Sequence, residues 1–125
     1  MKPQAKEWVQ KAEEDWEAAN RLGRGKKPLY SLVCFHAQQC AEKYVKAVLE
    51  QKAVPIPKTH DLVALVELAQ PELIALLLKK IELEIMTGYA VAARYPGENA
   101  TRAQARKSLK IADSIRTTVR QSLGN

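Results

Sequence analysis

Apolar residues return every three or four positions along nearly the whole chain, and no segment alternates apolar with polar between turn signals. Side chains at that interval share one face of a helix, so the pattern restricts the chain to helices packed through their stripes. Trp8, Ala12, Trp16 and Ala19 mark a first helix from about Gln4 to Leu22. Gly23 and Gly25 end it, since glycine accepts the left-handed cap and is costly inside a helix. Pro28 suits the opening turn of a second helix, where its missing N–H is no loss. That helix runs to about Ala53, with Leu29, Val33, Ala37, Cys40, Tyr44, Ala47 and Val48 on a broad face. Phe35, Val45 and Leu49 fall outside that face, which predicts the most buried helix of the fold. Only a narrow polar strip of Gln39, Glu42, Lys43, Lys46 and Glu50 is left.

Val54-Pro55-Ile56-Pro57 cannot be helical, because each proline forces the residue before it into an extended conformation. Thr59 is the expected N-cap of a third helix to about Ala69, with His60 and Asp61 in its first turn. Pro71 and Glu72 open a fourth through Leu73, Leu77, Ile81 and Ile85, with Gly88 as a candidate interruption. Tyr95-Pro96-Gly97 stops the chain again, and Thr101 caps a final helix to about Leu123. The expected fold is therefore all-α: an up-and-down bundle of about five helices, four-helix-bundle-like, in one domain over residues 1–125.

Several classes are excluded at once. The longest apolar cluster, Leu73 to Leu78, falls far short of the ~18 to 20 residues of a membrane span. The opening Met1-Lys2-Pro3-Gln4-Ala5-Lys6-Glu7 lacks the apolar core of a secretory signal, so a cytoplasmic location is expected. Cys34 and Cys40, six apart on one helix, lie ~9 Å apart along its axis and point in different directions, beyond disulfide reach. No His or Cys spacing completes a metal site, and both cysteines read as small core residues. A glycine-rich phosphate loop, a GxSxG elbow and a DxD pair are all missing, and Glu13, Glu14 and Asp15 read as a surface run. No cofactor is expected.

The positive charge is local. Residues 94–125 carry Arg94, Arg102, Arg106, Lys107, Lys110, Arg116 and Arg120 against only Glu98 and Asp113. At ~100° per residue, Arg102, Arg106, Lys110, Arg116 and Arg120 fall within an arc of roughly 120° on the final helix. Ala105, Ile111, Ala112, Ile115, Val119 and Leu123 occupy another, with Leu109 on the border. Such a line of cations could track phosphates, and it is equally the solvated face of a basic amphipathic helix. Just before it, Arg94 precedes a proline-stopped turn beside Tyr89 and Tyr95. That grouping could hold a phosphate bidentately and stack a base, or could simply bond the carbonyls of a helix end. His36 and His60, the two histidines, read first as structural residues.

Four elements in order carry a family resemblance: Trp8-x3-Ala12-x2-Asp15-x3-Ala19; His36-Ala37-Gln38-Gln39-Cys40-Ala41-Glu42-Lys43-x2-Lys46-Ala47; Pro57-x-Thr59-His60-Asp61-Leu62; and Arg94-Tyr95-Pro96. The chain resembles a HEPN domain (higher eukaryotes and prokaryotes nucleotide-binding) over nearly its whole length. The resemblance implies a helical bundle that commonly dimerises. It also implies a separate minimal nucleotidyltransferase as partner, in a two-component, toxin–antitoxin-like module. Ribonuclease members of the family carry an Arg-x4–6-His motif near the start of the last helix. Here Arg94 matches the arginine, but Asn99, Ala100 and Thr101 stand where the histidine belongs. An asparagine amide can hydrogen-bond a substrate but cannot exchange a proton near neutral pH.

The expectation is thus a non-catalytic nucleotide- or RNA-binding subunit, a homodimer presenting Arg94, Tyr95, Tyr89, His36 and His60 to its ligand, with the basic face of the last helix for phosphate. Two alternatives stand beside it. One is a metal-independent ribonuclease using Arg94 with Asn99 or another non-standard partner; the other is a purely structural dimerisation module.

Overall fold

The computed structural model describes residues 1–124. Its helices are α1 (Pro3–Leu22), α2 (Tyr30–Gln51), α3 (Leu62–Leu68), α4 (Ile74–Leu77), α5 (Lys80–Ala92) and α6 (Arg102–Ser122), with no strand among the described residues. The all-α bundle is as expected, with six helices instead of five. The fourth predicted helix is two: Pro71 lies in a turn, α4 is a single turn, and α5 restarts at Lys80. Gly88 sits inside α5 on an open surface, where a missing side chain costs propensity but breaks nothing.

The second helix begins two residues later than Pro28 suggests, and Leu29, expected on the buried face, is exposed. It also ends earlier, at Gln51, because Ala53 takes the left-handed conformation at φ 57°. The Ala53 N–H reaches the Glu50 carbonyl and the Val54 N–H the Leu49 carbonyl, the bonding that closes a helix end. The third helix starts at Leu62, capped by Asp61, whose carboxylate accepts from the Ala64 N–H at 3.2 Å. Thr59 instead accepts from the Asp61 N–H, which leaves His60 ahead of the helix. Thr101 caps α6 as expected, and does so reciprocally with Gln104.

The second helix is the axis of the bundle, touching α1, α3, α5 and α6. Val45 and Leu49 are buried with its broad face, and so is Glu42 from the supposed polar strip. Tyr44, Val48 and Leu49 meet Leu62, Leu65 and Val66 of α3, Leu83 and Met86 of α5, and Ile111, Ile115 and Val119 of α6 in the main core. Each such aliphatic side chain contributes about 1.5–3 kcal/mol by leaving water. A smaller cluster of Ala19, Val33, Cys34 and Ala105, with Tyr89 and Leu109 against it, closes the end of the bundle where α5 runs into α6. The Ala100 N–H donates to Ser31 Oγ at 3.1 Å, pinning the α5–α6 connection to the start of α2.

Candidate functional site

The α5–α6 connection carries Arg94. Its turn is set by bonds from the Tyr95 N–H to the Ala92 carbonyl and from the Glu98 N–H to the Tyr95 carbonyl. Gly97 follows at φ 84°, a conformation that side-chain-bearing residues rarely take. Arg94 is exposed, and its guanidinium carbon stands 5.1 Å from the centre of the Phe35 ring. That half-buried ring meets His36 in a T-shaped pair, with ring centres 5.2 Å apart and planes at 83°. The guanidinium and the imidazole therefore share one aromatic neighbour. No ion pair involves Arg94 among the described residues.

His36 is oriented from behind. Its Nδ1 lies 2.8 Å from Asp15 Oδ1, and Lys43 Nζ donates to Asp15 Oδ2 at 2.5 Å. A carboxylate only accepts, so Nδ1 carries the proton, and in the neutral imidazole Nε2 is the acceptor. Asp15 is buried, although the sequence places it in a surface run. The signal that locates it is positional: Asp15 falls on the small-residue stripe of Ala5, Ala12 and Ala19 where α1 meets α2.

The remaining candidates are dispersed. Tyr95 is 62% exposed beside Arg94. Tyr89 and Asn99 instead line a cavity of about 70 Å³ beneath the turn, with Ala92, Ala93, Glu98, Ala100 and Gln104. That volume suits a water or two, at ~30 Å³ of liquid volume each, and not a nucleobase. His60 is distant in contact terms: its Nδ1 lies 3.2 Å from Oε2 of the buried Glu42, whose other oxygen accepts from Gln38 Nε2 at 3.2 Å. Neither histidine forms a hydrogen bond with Arg94.

The basic face of α6 divides. Arg116 turns to α1 and clamps Glu13 with two bonds, Nε to Oε2 at 2.6 Å and Nη2 to Oε1 at 2.8 Å, while its guanidinium lies 5.3 Å from the Trp16 ring. Arg120 joins the same carboxylate at 3.2 Å, and the Tyr44 hydroxyl donates to it as well. The paired guanidinium holds the Glu13 carboxyl far below its ordinary value of 4.5, at about 2. Burial, then the adjoining carboxylate, pushes the Tyr44 hydroxyl up. Arg102, Arg106 and Lys110 form no such pair among the described residues and stay exposed.

The described residues contain no group of three or more His, Cys, Asp or Glu suited to a metal ion, and no helix long and apolar enough to cross a membrane. Cys34 and Cys40 are fully buried, as expected, and burial raises both thiols. A thiol so placed is a poor nucleophile.

The family model of the HEPN domain matches residues 5–122. Among solved structures, TT1696 from Thermus thermophilus is similar at a TM-score of 0.82 and 21% identity, over 97% of this chain and 99% of that one. ST0689, described as an archaeal HEPN homologue, is similar at a TM-score of 0.69 and 26% identity, over 97% of this chain and 98% of that one. No curated protein matches.

Proposed function

We propose a role from one premise, that the chain belongs to the HEPN domain family: it is a nucleotide- or RNA-binding subunit, non-catalytic by itself, that acts in the cytoplasm as a homodimer beside a separate minimal nucleotidyltransferase. The observation that carries this reading is Arg94, an exposed guanidinium spread over Phe35 and in no ion pair among the described residues. A guanidinium in that state can take a phosphate bidentately, and Tyr95 beside it offers an exposed ring for a base. Asn99, at the position where the ribonuclease motif carries its histidine, is an amide and cannot exchange a proton at neutral pH. Half-exposed Leu29, Leu32 and Val91, together with Tyr95, support the dimer: each leaves apolar surface in water, the first two at the start of α2 and the others at the end of α5 and just beyond it.

The test is a binding titration with short single-stranded RNA and with nucleotides, repeated across salt. Arg94→Ala is expected to weaken binding by about tenfold and to lower the salt slope by about one. Undiminished affinity in that variant would remove the reading. Co-purification with the adjacent-gene nucleotidyltransferase tests the partner, and light scattering tests the dimer; a monomer that captures nothing would remove both, and with them the structural dimerisation module.

One observation favours a second reading, a metal-independent ribonuclease. Asp15 holds Nδ1 of His36, so Nε2 is the acceptor of the neutral imidazole, and this imidazole meets the same aromatic ring that carries Arg94. In this reading RNA cleavage in the presence of a chelator falls by ~10²-fold or more in His36→Ala. Cleavage that persists in that variant, or never occurs in the unaltered protein, rules it out.

A further inference from the structure

A second cationic site lies away from the Arg94 turn, between the start of α5 and the middle of α6. A groove of about 440 Å³ opens there, lined by Lys79, Arg106, Lys107, Lys110, Glu82 and Ser114 over the buried Ile111. Only two of these, Arg106 and Lys110, belong to the arc of cations read from the sequence; Lys79 comes from the residue before α5, and Lys107 lies off that arc. None of the four cations has a carboxylate within ion-pair distance among the described residues. Elsewhere in the molecule Lys43, Lys52, Arg116 and Arg120 each meet one. Four like charges facing one hollow repel one another, and a bound anion relieves that repulsion.

The chemistry of the lining narrows the anion. Lys79 Nζ donates to Ser114 Oγ at 2.7 Å, which occupies a lone pair of that hydroxyl and leaves its proton to donate into the groove. Three lysines and an arginine supply many donors with no acceptor among them, the complement of an oxygen-rich, multiply charged group. Glu82 gives one wall a negative charge, which disfavours a long polyanion continuing past α5 and favours a short, charge-dense one. We propose that this groove binds a chain of linked phosphates, carried either by a nucleoside triphosphate or as free polyphosphate. For a nucleoside triphosphate this rests on the nucleotide-binding reading and adds a second place for it; the residues substituted below lie outside the Arg94 turn, so failure here and failure of that reading are seen in different variants.

Calorimetric titration of the full chain with tripolyphosphate and with ATP, at fixed ionic strength, tests it. Saturable binding is expected, falling roughly tenfold in the double variant Lys107→Gln/Lys110→Gln. Both lysines are exposed, so the fold persists. The control Lys26→Gln/Lys27→Gln removes the same charge from the exposed turn between α1 and α2 and should change affinity less than about twofold. Tighter binding of ATP than of tripolyphosphate would identify a nucleotide as the source, and equal binding the phosphate chain alone; either supports the site. Equal losses in the two double variants, no saturable binding, or binding of single-stranded RNA with tripolyphosphate ignored would each overturn it.

Discussion

Arg116 and Arg106 are the same side chain on the same helix, yet they stand in opposite electrostatic states. The last two turns of α6 face α1, where Glu13 waits at a third exposure between Trp16 and Tyr44. There the guanidinium groups of Arg116 and Arg120 are consumed in joining the first helix to the last. The earlier turns face the short α4–α5 corner, whose Glu82 lines the same groove yet pairs with no cation among the described residues. A run of cations read from one helix thus says nothing about availability. What decides it is the element across the gap, and only unpaired charge retains attraction for a ligand.

The contrast can be broken by removing the shared carboxylate. Glu13→Ala leaves two guanidinium groups and a buried phenol without their acceptor, and with a third of that site open to solvent the cost is about 2 kcal/mol of unfolding free energy, measured by urea denaturation. Neutral behaviour would mean that the clamp holds nothing. Acid makes the same cut gradually. Because folding depresses the Glu13 pKa from 4.5 to about 2, its contribution is complete above about pH 4.5 and is lost as pH falls toward 2. In Glu13→Gln that part of the acid limb should vanish, and an unchanged limb would place the acid sensitivity elsewhere. Arg116→Lys keeps the charge but cannot form the two-pronged contact, so a loss of about 1 kcal/mol is expected; a double-mutant cycle with Glu13 isolates it. At the other half of the helix, Lys107→Gln and Lys110→Gln should each move stability by no more than about 0.5 kcal/mol. A larger shift would show that these lysines also hold the fold.

The bundle was legible because helical spacing is a local property, and so was the Thr101 cap, whose partner Gln104 lies within one turn. The break between α4 and α5 was not, since Leu77-Leu78-Lys79-Lys80 contains neither proline nor glycine to announce it. The start of α3 was misplaced because Thr59 and Asp61 are both good caps, and the choice between them depends on where the proline-rich connection delivers the chain. Arg94 and its turn could be found from sequence through the family resemblance. The partners of Arg116, the burial of Asp15 and Glu42, and the groove at Lys79 could not, because each depends on residues brought together from separate helices.

The bond between Arg116 and Glu13 joins residues 103 positions apart. As the polypeptide is synthesised, α1 and α2 emerge first and can pair as a hairpin, but the carboxylate of Glu13 must wait for almost all of the remaining sequence before its guanidinium arrives. Until then the α2 surface destined for α6 stays in water, which makes the last helix the step that closes the core.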